Sequence, residues 1–327
     1  MTSNIERASS AAEEAVVAAD STGDPYLAAF SRSALALVLI QNGGGLDRAT
    51  SVLDESRSLL DETHRWDLGG TWILSAHAAL LHGDVVAASA ACVEADRLLR
   101  PLGDDWALDH LDALLGYIAQ AEERYDDAAT HLRRAAAAAG RLGYASTEAS
   151  HLDTLGRVLE QASQIDEAIE TFERVIEIGR TTRQLRLLAL GRVHLGRVLR
   201  RHGDRDAAVR AVRAADHWFD SSGGGDGAAL AACLHSAMDA EDGDPTAEAR
   251  LRAVLERASG QHTPDIEIMA MDALARHAAN DHHLAEASDL LAAADDLMPS
   301  ARHLLGFADR LDADHARTLI TAGSTIK

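Results

Sequence analysis

The side chains best placed to do chemistry in this sequence recur every 40 residues. His77, Tyr117, Arg157 and Arg197 follow one another at that interval. Ile73, Ala113, Asp153 and Val193 stand four positions before them, and Leu80, Gln120, Glu160 and Arg200 three positions after. On a helix such neighbours share a face. A regular 40-residue unit would therefore draw Tyr117, Asp153, Arg157, Glu160, Arg197 and Arg200 into one row, with His77 at its start and His110 one turn away. Forked guanidinium donors beside an aromatic ring suit carboxylate or phosphate groups. The row is a candidate ligand-binding groove for a protein or peptide partner or a small anionic effector. The plainer alternative is that Arg157 pairs with Asp153 or Glu160 on its own helix, which is worth only ~0.3–0.5 kcal/mol.

Other constellations carry less. His277, His282, His283 and His303 gather around Asp281, but HxxxH and HExxH spacings are absent and paired histidines in a polar turn read as solvated loop, so no metal is expected. Gly43-Gly44-Gly45 and Ser221-Ser222-Gly223-Gly224-Gly225 follow no strand and so are not phosphate cradles; the second is an expected hinge, at 221–226. Cys92 and Cys233 lack CxxC spacing and read as small buried hydrophobes. No GxSxG elbow and no cysteine with an evident base occurs. The expectation is a chain with no catalytic residue and no cofactor, the alternative being a biosynthetic-pathway enzyme or accessory protein that uses the groove as a substrate site.

The elements that must hold the row are helices. Only five prolines, four Phe, four Tyr and four Trp occur among 327 residues, and the chain is rich in Ala and Leu, a composition that disfavours sheets. No run of 18 apolar residues and no basic-then-apolar leader is visible, so neither membrane span nor secretory signal is expected and the protein is read as cytoplasmic. Thirty-one basic against 52 acidic residues leave a formal charge of −21, which opposes direct nucleic-acid and anionic-membrane binding. The charge is uneven, for residues 174–213 hold eleven arginines against Glu177, Asp204 and Asp206. That stretch could attract an acidic partner, or be no more than a solvated helix surface.

Internal repetition sets the architecture. Turns at Gly83-Asp84, Glu123-Arg124, Ser163-Gln164, Gly203-Asp204 and Gly243-Asp244 are 40 residues apart. Small residues keep register with them: Ala76, Gly116, Gly156, Gly196 and Ser236 before the turn, Ala88, Ala128, Ala168 and Ala208 after it. Small side chains let antiparallel helices approach closely, so each unit reads as a helical hairpin whose first helix lines a concave face. Tyr26, Trp66 and Trp106 keep the same interval, and they are expected to wedge between neighbouring units. The expectation is an all-α solenoid of about seven hairpins in a single domain over 1–327, with a capping helix at 1–22, repeats over 23–300 and a capping helix at 301–327. Leu304, Phe307, Leu311, Ala316 and Leu319 form the apolar stripe of the last.

Leu155-Gly156, Leu159, Ile165-Asp166-Glu167-Ala168, Phe172 and Val175 resemble the tetratricopeptide repeat (TPR). The resemblance implies a right-handed superhelix and a role in binding proteins or peptides. The lysine and asparagine pattern of repeats that hold chaperone tails is absent. Gly-Asp-x-aromatic loops, arginine as nearly the sole cation beside Lys327, and Glu286-Ala287-Ser288-Asp289-Leu290-Leu291 are similar to the C-terminal repeat region of actinobacterial LuxR, MalT-like and SARP-type transcriptional regulators. That resemblance implies a sensory or regulatory module. No GxxxxGK[ST] loop and no helix-turn-helix occurs, so the family's ATPase and DNA-binding roles do not carry over.

Overall fold

The computed structural model describes residues 2–42, 45–224, 227–301 and 310–324. Among them every regular element is helical, with sixteen α-helices. They fall into two compact units, residues 1–151 and 152–327, which divide within one helix. Unit 1 contains α1 (Thr2–Thr22), α2 (Pro25–Gln41), α3 (Leu46–Ser58), α4 (Arg65–Leu81), α5 (Val85–Leu99), α6 (Asp105–Ala121), α7 (Tyr125–Arg141) and the start of α8 (Ala145–Gln161). Unit 2 contains the rest of α8, α9 (Ile165–Thr181), α10 (Leu185–His202), α11 (Arg205–Ser221), α12 (Ala228–Glu241), α13 (Ala247–Gln261), α14 (Pro264–Asn280), α15 (Leu284–Ala301) and α16 (Leu311–Ser324). Successive helices pair as antiparallel hairpins, and α16 packs on α14 and α15. No described helix is long and apolar enough to cross a membrane.

The 40-residue turn has one stereochemical requirement. Gly83, Glu123, Ser163, Gly203 and Gly243 all take left-handed φ, between 59° and 95°. Each allows the next amide to reach back to the helix it leaves, as Asp84, Arg124, Gln164, Asp204 and Asp244 do at 2.8–3.0 Å. Aspartates after the turn then cap the following helix. Asp84 accepts from the Ala87 amide at 2.9 Å, Asp104 from Ala107 at 2.9 Å and Asp204 from Ala207 at 3.1 Å.

Close helix approach follows a second rule, a small residue on the first helix facing a large one 16 positions later. A Cβ placed on Gly116 would lie 2.8 Å from Leu132, on Gly156 2.6 Å from Phe172, and on Gly196 2.4 Å from Val212. Ala76 and Cys92 occupy the same two places and are fully buried. The rule lapses at Ser236, whose counterpart Arg252 points outward to Glu248 and Glu286.

Tyr26, Trp66 and Trp106, expected to wedge between neighbouring units, remain exposed; Trp66 and Trp106, one repeat apart, do meet, but as a stack at the surface. The C-terminal helix begins at Leu311, which is itself exposed, while Ala313 and Ala316 are buried against Ala275, Ala279 and Leu291. Leu304, Phe307, His303 and Lys327 lie outside the described residues, as do positions 225 and 226 of the expected hinge.

Candidate functional site

The predicted row is divided between the units, with His77, His110 and Tyr117 in unit 1 and Asp153, Arg157, Glu160, Arg197 and Arg200 in unit 2. In unit 2 the row forms a chain of ion pairs. Arg157 lies 3.5 Å from Asp153 and donates to Thr154 at 3.2 Å on its own helix. His194 stands 3.6 Å from Asp153 and stacks on Phe172 at 5.5 Å. Burial pushes the His194 imidazole down to about 4, so it is neutral at pH 7.

One turn further, the buried Glu160 accepts from Arg197 at 2.6 Å and from Arg201 at 2.9 Å. Burial opposes its charge, but the two guanidinium groups outweigh that and hold its carboxyl below the usual range. Arg200 bonds Glu241 at 2.5 Å and Asp312 at 2.5 and 3.0 Å. Arg276 bonds the same two carboxylates, at 2.6 and 2.9 Å. Two arginines and two acids thus close a square contributed by α10, α12, α14 and α16. Burial works against the Asp312 charge as well, and Arg200 and Arg276 reverse the balance, lowering its pKa. Beside the square, Arg310 clamps Asp272 at 2.6 and 2.8 Å and also pairs with Asp295. A narrow cleft of about 20 Å³, room for roughly one water molecule, is lined by Arg197, Arg200, Arg201, Leu234, Met269, Asp272 and Asp312.

The expectation of open guanidinium donors in the groove is therefore corrected at Arg197 and Arg200. Both are buried and carboxylate-paired, because carboxylates from the preceding and later repeats reach them. Only Arg157, half-buried on α8, keeps the own-helix pairing considered from sequence. Arg201, His194, Glu241, Arg276 and Asp312 were not anticipated. A signal for part of the set existed, since Glu160–Arg201 and Arg200–Glu241 are each 41 apart, one repeat plus one residue. Asp312 offered none, being 112 positions from Arg200.

In unit 1, His77 faces solvent, and the surrounding protein together with His110 lowers its pKa. His110 lies tilted against the Trp106 ring, centroids 4.4 Å apart, and hydrogen-bonds the Trp106 carbonyl at 2.9 Å. Tyr117 is half-buried among apolar neighbours. Below them the buried Asp109 bonds His151 at 2.6 Å. No group of three or more potential metal ligands occurs among the described residues; His277 reaches only Glu248 and Asp281, at 3.7 and 3.6 Å.

A tetratricopeptide repeat profile matches residues 109–181. In fold the chain is similar to aspartyl phosphate phosphatase F from Bacillus subtilis, with 13% identity and a TM-score of 0.68 over 84% of this chain and 72% of that one. It is also similar to a Rap protein complexed with competence and sporulation factor, with 12% identity and a TM-score of 0.54 over 100% and 99% of the two chains. A signal transduction ATPase with numerous domains and a tetratricopeptide repeat sensor, from Pyrococcus horikoshii, aligns with 13% identity and a TM-score of 0.66, covering 84% of this chain and 43% of that one. At these identities the likeness is one of fold. No curated protein matches the chain in sequence.

Proposed function

We propose that the chain is a non-catalytic recognition module that binds an acidic segment of a protein or peptide at the arginine row of unit 2. In this reading it is the sensory part, or a stand-alone relative, of a bacterial transcriptional regulator. The observation that carries the reading is the seat of Asp312. A carboxylate delivered by a sequence-remote helix lies between Arg200 and Arg276 at 2.5–3.0 Å. A fork that takes such a carboxylate is equipped to take one from another molecule, a small anionic effector included. Support also comes from the repeat match at 109–181 and from the fold shared with a Rap protein solved with a factor bound and with a repeat sensor of an ATPase.

The test is fluorescence anisotropy with labelled dodecamers of glutamate and of glutamine. The glutamate peptide is expected to bind and the glutamine peptide not to. Asp312→Ala removes the internal competitor and is expected to tighten binding several-fold, whereas Arg200→Gln weakens it. Equal binding of the two peptides would sink the proposal. The regulatory assignment is tested by the gene, where DNA-binding and ATPase segments fused to or beside this chain are expected.

A further inference from the structure

Unit 1 carries a strip of rings that the fold does not use. The Trp66 and Trp106 rings stack with centroids 5.3 Å apart, and Trp106 continues onto His110 at 4.4 Å. Tyr26 stacks on His64 at 5.3 Å and on Phe30 at 6.5 Å. The two groups meet at the start of α4, where the Tyr26 hydroxyl donates to Asp67 at 3.3 Å, next in sequence to Trp66. Tyr26, Phe30, Trp66 and Trp106 are 39, 58, 41 and 38% exposed. None of them belongs to the apolar cores built around Leu53 or around Leu99 and Leu111. Contiguous exposed apolar surface of this kind marks interaction sites, and tryptophan and tyrosine are the usual anchors of interfaces.

The rim identifies what the rings would meet. Asp24, Asp61, Glu62, Asp67, Asp104 and Asp105 come from the same three helix starts; Asp24 and Asp104 also cap their helices, and Arg141 already pairs with Asp105. Aromatic faces are electronegative, so rings inside an acidic border favour a cation. A guanidinium is planar and weakly hydrated, and it stacks where an ammonium does not. The same unit already makes this contact internally, with the Arg57 guanidinium 4.0 Å above the Trp72 ring. A Cβ added to Gly70, one turn after Trp66, would meet nothing within 4 Å, so among the described residues no side chain lies against that point.

We propose that the strip is a docking surface for an extended, arginine-bearing segment of a partner protein, whose guanidinium groups stack on Trp66 and Trp106 while their outer donors reach the acidic rim. The proposal is independent of the unit 2 site.

The probes are fluorescein-labelled hexa-arginine and hexalysine, titrated into the full chain at physiological salt. A charge of −21 attracts any polycation, so the differences decide. Hexa-arginine is expected to bind more tightly than hexalysine. Trp66→Ala and Trp106→Ala should each weaken it by about 3-fold and the double variant by about tenfold. Gly70→Arg, which places a guanidinium on the strip within the chain and suits the helix better than glycine, should weaken it likewise without lowering the melting temperature. Equal affinity for the two peptides, or variants that bind hexa-arginine as the parent does, would overturn the proposal. So would sedimentation showing a parent dimer that Trp66→Ala converts to a monomer, because the occupant would then be a second copy.

Discussion

Replacing Arg197 by alanine tests directly whether the row is a structural ladder or an open groove. Arg197 and Glu160 are 10% and 3% exposed in their side chains and 2.6 Å apart. Unmaking one partner of such a buried pair costs ~3–5 kcal/mol, because the charge left behind has lost its compensation. Here Arg201 stays 2.9 Å from the other carboxylate oxygen, which places the expected loss at the low end, ~3 kcal/mol. Arg157→Ala is the control. Its side chain is 30% exposed and 3.5 Å from Asp153, so it should cost only ~0–1 kcal/mol. Urea midpoints at pH 7 compare the variants at constant slope. Arg197→Met with Glu160→Leu should recover most of the loss, since an apolar pair carries no desolvation penalty. The Glu160 pKa is lowered in the folded chain. Its contribution is thus present above the unfolded carboxylate value and lost as pH falls through the folded one, so the gap between parent and Arg197→Ala should narrow in acid. An Arg197→Ala midpoint indistinguishable from that of Arg157→Ala would refute the reasoning and return Arg197 to the solvent-facing groove.

Glycine substitutions should divide by sign. Gly179→Ala would set a Cβ 2.6 Å from the Leu188 backbone nitrogen and should lower the melting temperature, whereas Gly70→Ala meets nothing within 4 Å and should raise stability by ~1 kcal/mol. At the turns, Glu123 and Ser163 hold φ of 59° and 60°, so glycine at either position should stabilise by up to ~1 kcal/mol, read from the same melts. His194 supplies a pH dependence. Its folded pKa of about 4 lies below the ordinary imidazole value of 6.5, so its stabilisation is complete above 6.5 and is lost as pH falls toward 4, a change on the order of 2–3 kcal/mol. His77 shifts in the same direction. His194→Leu should therefore flatten, without abolishing, the fall in melting temperature between pH 7 and 5; an unchanged slope would contradict the assignment.

The hairpin register was legible because two requirements repeat in residue type, small against large across 16 positions and a capping aspartate after the turn. The left-handed turn residue was legible only where it is glycine. Glu123, Ser163 and Arg183 satisfy the same geometry with side chains that give no hint of it. Within the site, Asp153 and Arg157 were readable because they lie on one helix. The interhelical pairs were not, since their separations of 37 to 41 mix the repeat length with a fraction of a helical turn. The aromatic interval was equally plain, yet interval alone does not separate a buried wedge from a surface stack. Exposure is decided by what neighbours fill the interior, here the Leu99 and Leu111 cluster.

The energetic character of the proposed acidic-segment site follows from its being already satisfied. An incoming carboxylate that replaces Asp312 leaves the number of ion pairs at Arg200 and Arg276 unchanged, so electrostatics alone favours neither occupant strongly. Selectivity then rests on what the ligand buries on the surface that α16 vacates, set against the loss of α16's own contacts. Those contacts are built largely from small side chains, Ala313 and Ala316 on Ala275, Ala278 and Ala279, supplemented by the half-buried Leu319 and Ile320. Methyl-sized contacts each contribute on the order of 1 kcal/mol, far less than Leu or Phe pairs elsewhere in the unit. Arg310 adds its clamp on Asp272 to that anchorage, so Arg310→Gln should ease exchange at Arg200 and Arg276 without altering either arginine.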